Sequence, residues 1–438
     1  SRMTMSLKYL LVTLLSTAAR SQWKLPAVSV RPCNCSARVY VYDLEPPLTD
    51  PGYGAAHNPF HRRPDTPGPW DPNEQGEHMY ALTSILEYRL RRSCCRTTDP
   101  EEADLFFAPI APRPRERASL YFELCQSGNL SAKSVRLALR HAREPWRACR
   151  HFFSLPHHYH FEQCGGWFAH PKPPYELMMR VGYLHSITPS LERRVRAEAL
   201  NDHTAKRSHL WKDLSKVSSN ISSTYPNLIS VPYPSVHWSS GQTRAGFSPP
   251  WEREQHGLDR PVISPTMLFV GSAAHGDVAV RALVVKQCEA HPRCTVSPWR
   301  GGASLLDKQR AVFCLEPSGD SPDRKSVSDD VAMGCIPVFF SAISSGLAPW
   351  FWAAAGSAGG GYVLIEREPF LVGNVTLESE LGRMPSARVA ALGHAVTRVA
   401  HGFQYSIDDD PGDAVDVLLT GLHKMADAQC PHHTHQQP

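Results

Sequence analysis

Between residues 266 and 340 short apolar runs alternate with stretches of helical spacing, and this alternation constrains the fold more than any other feature of the chain. Runs at 266–270, 295–296, 312–315 and 336–340 read as strands, with helices at 278–290, 305–310 and 325–332 between them. Strands separated by helices pair in parallel through crossovers, so the segment predicts an α/β sheet covered on both faces. An earlier series has the same character, with strands at 38–43, 105–110, 152–155 and 228–231 and helical spacing at 77–92 and 131–143. Two such series imply two doubly wound α/β domains facing one another. Residues 239–264, rich in Gly, Ser, Pro and charge, read as the linker, and an amphipathic run at 415–428 as a closing helix.

The expected organisation follows. Residues 1–20 form a signal peptide or signal anchor, 21–37 a stalk, 38–238 an N-terminal domain, 239–264 the linker, 265–428 a C-terminal domain and 429–438 a tail. After Lys8 an apolar run of about a dozen residues fits a signal peptide but falls short of the ~20 that span a bilayer. Twelve cysteines and sequons at Asn34, Asn129, Asn220 and Asn374 agree with an oxidising secretory compartment. Cys288 and Cys294 are the expected disulfide, whereas Cys314 and Cys335, inside apolar strands, read as buried thiols. With 46 basic against 42 acidic residues and no long basic block, no nucleic-acid partner is expected.

Residues 314–340 carry the clearest chemical signal. Ser318, Gly319, Asp320 and Ser321 form a turn after one strand, and Arg324, Lys325 and Ser326 open the helix that leads to the next. Helix-start N–H groups and two cations at the carboxyl ends of parallel strands suit an anion such as a diphosphate. Neither a P-loop nor a GxGxxG occurs. Gly271 with Arg281 is a second local candidate, since arginine neutralises phosphate bidentately. Asp330 reads as solvated.

The segment from Gly319 to Ser326, followed by Gly334-Cys335-Ile336-Pro337-Val338-Phe339-Phe340, resembles the signature of exostosin-type glycosyltransferases, family 47, and most closely the plant xyloglucan galactosyltransferase-like branch. Residues 39–44, 95–109, 151–153, 231–234 and 269–271, then Arg281 and Gln287-Cys288, follow the family's order, and the likeness spans roughly residues 38 to 425. It implies a GT-B fold, two Rossmann-like domains facing a cleft with a C-terminal crossing helix. It further implies an inverting glycosyltransferase that moves a sugar, galactose favoured, from a UDP-sugar to a polysaccharide or glycan. The expected setting is the Golgi membrane with a lumenal catalytic domain, with secretion as the alternative and a transferase complex as a possible assembly. The resemblance also matches Asp329 to an acid that would bond ribose or sugar hydroxyls.

The chain departs from the family pattern at Ser328, where an aromatic is usual, at Asp277, near a usual basic residue, and at Thr83 and Glu87, in place of an acid and a His. A catalytically silent partner subunit of another transferase is therefore the second reading. Inversion requires one base, and His57, Asp104 and His157 are its candidates, with nothing in the sequence to choose among them. No strand-flanked Asp-x-Asp occurs, so no metal is expected, and the UDP-sugar is co-substrate rather than cofactor.

Overall fold

Two all-parallel sheets carry the chain, six strands in the first and five in the second. The computed structural model describes residues 35–43, 82–109, 140–143, 145–155, 179–182, 228–235, 249–255, 266–274, 276–300, 302–319, 324–346, 348–355, 360–406 and 410–430. The first sheet contains β1 (Val39–Val41), β2 (Arg96–Thr97), β3 (Leu105–Phe107), β4 (His151–Leu155), β5 (Met179–Gly182) and β6 (Leu228–Ser230) in the order β2-β1-β3-β4-β5-β6. The second contains β7 (Met267–Val270), β8 (Cys294–Ser297), β9 (Phe313–Glu316), β10 (Ile336–Phe339) and β11 (Val363–Leu364) in the order β11-β10-β9-β7-β8.

Both orders are the doubly wound one, in which the chain reverses direction between its first and third strands. That switch falls between β1 and β3 in one sheet and between β7 and β9 in the other. Ligands of such sheets bind in the crevice outside the carboxyl ends of the strands at the switch. The architecture is thus the expected GT-B-like pair of Rossmann-type sheets. β7, β9 and β10 are buried along their whole length, which matches the apolar composition of all but Glu316 at the end of β9.

The helices that flank the site are α1 (Leu82–Arg92), α2 (Pro250–Gln255), α3 (Val278–Glu289), α4 (Gly302–Arg310), α5 (Lys325–Met333), α6 (Ser386–Ala400) and α7 (Ala414–Gln429). α2 lies within the expected linker, and Trp251 on it packs against the core and edge-on to His401. A tryptophan that can bury its ring makes helix where composition alone reads as loop. Of the helix expected at 131–143, residues 140–143 are described and form a 3₁₀ turn.

α7 crosses back to the first sheet's helices and strands. Its N-cap Asp413 accepts from the N–H groups of Val415 and Asp416 and from Arg89 Nη1 of α1 at 2.5 Å, with both charged side chains almost fully buried. At the other end Cys430 is disulfide-bonded to Cys149, and Asp427 pairs with Arg150 at 3.0 Å. Tyr405 Oη adds a buried bond to the carbonyl of Pro232 at 2.9 Å. No helix among the described residues is long and apolar enough to cross a membrane.

Candidate functional site

At the β7/β9 switch two loops are locked together. Gly271 follows β7 at φ +150°, and a Cβ there would stand 2.7 Å from Arg281 Nη2. Gly276, at φ +76°, lies against the backbone of Ser318 and Gly319, where a Cβ would meet their carbonyl oxygens at 2.5 Å. Only glycine allows either approach. The Asp277 N–H donates to the Ser318 carbonyl at 3.2 Å. Arg281, buried over the Phe269 ring, donates from Nε to Ser272 O at 2.7 Å and from Nη1 to Pro317 O at 3.3 Å. The structure therefore revises the expectation for Arg281: it shapes both loops rather than presenting its charge to a ligand.

Asp277 caps α3 and is held by Arg367 Nε at 2.7 Å. The cation at this carboxylate thus comes from a segment 90 residues away.

α5 begins differently. Its N-cap residue, Arg324, makes no side-chain cap, and two basic residues stand at its start. Arg324 folds over Gly319 and donates to Glu316 Oε2 at 2.8 Å and to the Pro317 carbonyl at 3.2 Å. Lys325 Nζ donates to Asp329 Oδ1 at 2.6 Å, and Ser235 Oγ, from just beyond β6 of the first sheet, donates to the same oxygen at 2.5 Å. Asp329 thereby joins the two halves at the carboxyl edges of their sheets. Asp320 and Ser321 lie outside the described residues.

Beneath this surface is a buried ionic network that the sequence reading missed. Lys308 of α4 donates to Glu316 at 3.5 Å, to Ser326 O at 2.9 Å, to Ser326 Oγ at 2.7 Å, and to Asp330. Ser326 Oγ donates in turn to Glu316 Oε1 at 2.6 Å, so Ser326 faces the network rather than a ligand. Asp330, expected in solvent, is fully buried. Burial, with Glu316 beside it, pushes its carboxyl well above the usual carboxylate range. Burial works the same way on Glu316, but Arg324 and Lys308 outweigh it and hold that carboxyl below its ordinary value. The i, i+22 spacing of Lys308 and Asp330 has no local periodicity that could have exposed it. Glu316, directly before the Pro-Ser-Gly turn, was the available signal.

Cys314 and Cys335 are also corrected: they form a disulfide between β9 and the residue before β10. Cys288 and Cys294 are bonded as well, closing the turn after α3. Sulfurs of Cys35, Cys94 and Cys95 cluster as metal ligands might, but Cys35 is bonded to Cys95 and Cys94 is disulfide-bonded too, which leaves no thiolate. Asn374 is exposed, as an acceptor sequon must be. Asn34, Asn129 and Asn220 lie outside the described residues.

The first sheet's switch is less charged. Asp104 stands at the amino end of β3, where its Oδ2 accepts from the Arg38 N–H at 2.7 Å. This is the edge away from the ligand crevice, so the structure removes Asp104 from the base candidates. His57 and His157 lie outside the described residues. The carboxylate that does follow a switch strand is Asp43, exposed and paired with Arg91 at 2.5 Å. Behind it Tyr42 Oη donates to His151 Nε2 at 2.7 Å, and the Nδ1–H of His151 donates to the Arg147 carbonyl at 2.7 Å. Burial lowers the His151 pKa to about 3, so this ring is neutral. Thr83, at the start of α1, bonds Ser154 at 2.7 Å.

No protein-family model matches the chain. A probable xyloglucan galactosyltransferase of Arabidopsis thaliana is 28% identical over 211 residues, which cover 44% of this chain and 40% of the relative. A probable β-1,4-xylosyltransferase of the same plant is 24% identical over 289 residues, or 60% of this chain and 57% of the relative. The chain is similar to exostosin-type glycosyltransferases. A xyloglucan-specific galacturonosyltransferase of Arabidopsis thaliana adds a shorter stretch, 31% identical over 127 residues, 27% of this chain and 18% of the relative. The matched regions thus span about half or less of these exostosin-type relatives. The crystal structure of the glycotransferase of kitacinnamycin overlays 81% of this chain and 92% of that chain at 10% identity with a TM-score of 0.26, too loose an overlay to bear on the site.

Proposed function

We propose that the chain is an inverting, metal-independent glycosyltransferase that moves a sugar, galactose favoured, from a UDP-sugar to a polysaccharide or glycan. The carrying observation is the β7/β9 switch, where two interlocked loops meet a helix start bearing Arg324 and Lys325. The names of the plant relatives support the reaction class and the polysaccharide acceptor. In the reaction the acceptor hydroxyl oxygen bonds to the anomeric carbon as the bond from that carbon to the diphosphate breaks. The bonding pair leaves on the diphosphate, and the hydroxyl proton passes to a base. Arg324 and Lys325 would stabilise the charge that develops on the leaving diphosphate, in the manner of fixed cations in transferase sites. Lys325 and Ser235 meet on Asp329, so the donor side would be sensed at the acceptor-side sheet.

The proposed setting is the secretory pathway, at the Golgi membrane with the catalytic part in the lumen, or secreted. Disulfides at Cys35–Cys95, Cys149–Cys430, Cys288–Cys294 and Cys314–Cys335 favour an oxidising compartment. One observation favours a silent partner subunit instead: both cations of the α5 start already have carboxylate partners, Glu316 and Asp329. A screen of UDP-sugars for hydrolysis and transfer by the purified protein separates these readings. Turnover of a UDP-sugar is expected, and UDP binding without turnover of any donor would favour the silent subunit.

A further inference from the structure

Trp299 is a large apolar side chain left half exposed, 47% accessible, and it stands just past the carboxyl end of β8. Single surface hydrophobics are ordinary. Leu364 and Val372 are exposed as well, but the first sits on the short edge strand β11 and the second in a turn after a short helix. Trp299 differs because its backbone is anchored on both sides and its ring lies beside the donor loops. On one side the Gly271 N–H donates to the Ser297 carbonyl at 2.9 Å, tying the segment to the switch-point glycine. On the other, the Arg300 N–H donates to the buried Ser304 Oγ at 2.8 Å, and the Arg300 guanidinium pairs with Asp307 at 2.6 Å. The indole is thus carried on a two-residue arch, Pro298-Trp299, between fixed points. Lys325 Nζ lies 6.0 Å from its ring centroid.

We infer that Trp299 is the stacking platform for the nucleobase of the nucleotide sugar. The inference rests on the donor-site reading above, since it places the base one strand away from the proposed diphosphate cradle. A ring with an open π-face accepts any planar base, and a neighbouring cation suits a ligand that is anionic at one end and aromatic at the other. Lys325 links the two ends: it opens α5, where the diphosphate would lie, and its ammonium stands near the indole. Carbohydrate stacking is the rival use of an exposed tryptophan. The strand-end position on the donor sheet, tied to Gly271, favours the base.

Isothermal titration of wild type, Trp299→Ala and Trp299→Phe with UDP and with inorganic pyrophosphate tests the inference. Trp299→Ala should weaken UDP roughly tenfold, the scale of one base–aromatic stack. It should leave pyrophosphate within about twofold, and Trp299→Phe should retain most of the UDP affinity. Unchanged UDP affinity in Trp299→Ala overturns the platform while leaving the diphosphate site standing. Equal losses for UDP and pyrophosphate overturn it as well, because they signal collapse of the loop. A wild type that binds neither ligand overturns the donor-site reading itself, and the platform with it.

Discussion

The carboxyl edges of the two sheets are built by opposite means. At the second sheet the ionic network under the loop comes from one strand–loop–helix unit and its preceding helix. Arg324 reaches Glu316 eight residues away, Lys325 reaches Asp329 four away and Lys308 reaches Asp330 twenty-two away, while Arg367 on Asp277 and Ser235 on Asp329 are the remote additions. At the first sheet the bonds join remote segments, Arg91 to Asp43 just past β1 across 48 residues and Thr83 to Ser154 of β4 across 71. The first edge is also the less charged: its ion pair, Asp43 with Arg91, lies at the surface, whereas the second edge buries Lys308, Glu316 and Asp330. A site folded from one contiguous segment can carry charge safely, because each ion's partner arrives with it. At the first edge the buried bond between distant segments, Thr83 with Ser154, is neutral, which costs less if a segment is displaced.

The buried charges give this contrast its strongest test. Lys308→Met leaves Asp330 without its cation and Glu316 with Arg324 alone, and should cost about 3–5 kcal/mol in chemical denaturation, since removing one partner of a buried network strands polar and charged groups. Adding Asp330→Leu should recover much of that loss. Arg89→Met, which breaks the buried pair with Asp413, should cost a similar about 3–5 kcal/mol. The two should part on ligand binding: only Lys308→Met is expected to weaken UDP binding by the remaining folded protein. If Arg89→Met weakens it equally, the donor edge is not self-contained.

The first sheet has a weaker signature, in pH. His151 is neutral when folded, with its pKa lowered to about 3 by burial, while an unfolded histidine titrates near 6.5. Below about pH 6.5 the unfolded chain takes up a proton that the folded chain refuses, so stability present at neutral pH is lost as the pH falls. The slope from this group is about 1.4 kcal/mol per pH unit down toward pH 3. Tyr42→Phe/His151→Phe removes both hydrogen-bond partners together and should flatten that acid limb. An unaltered limb would mean that other groups govern acid unfolding. Smallest of all, Ser235→Ala removes one bond to Asp329 and should cost about 1 kcal/mol, seen as a small fall in the melting midpoint. No change in either stability or UDP affinity would mean that this bond does not couple the halves.

The same contrast explains what the sequence disclosed. The strands at β7, β9 and β10 and the helices α3 and α5 were legible because buried parallel strands are unbroken apolar runs and their crossovers have helical spacing. β5, Met-Arg-Val-Gly, alternates over only four residues, too short a signal to stand out, and its place is set by pairing with β4 and β6. α2 depends on where Trp251 buries its ring. Within the site, Arg324, Lys325 and Asp329 could be named from one motif. The roles of Arg281 and Asp330 were misread because a charge's partner is set by tertiary packing: Arg281 clamps two loops, and Asp330 meets a lysine from the preceding helix. Trp299 gave no pattern at all, since only the sheet shows that its strand ends at the crevice.

The most direct test of the account is a calorimetric titration of UDP into wild type and Arg324→Ala. Arg324 folds over Gly319 of the loop that would hold the diphosphate, and its contact with a phosphate would be charge-assisted. The wild type should bind, and the variant should bind about tenfold or more weakly, as the loss of a bond worth roughly 1.5–3 kcal/mol requires. Equal affinity in the two proteins, or no binding by the wild type, would contradict the placement of the donor at the β7/β9 switch.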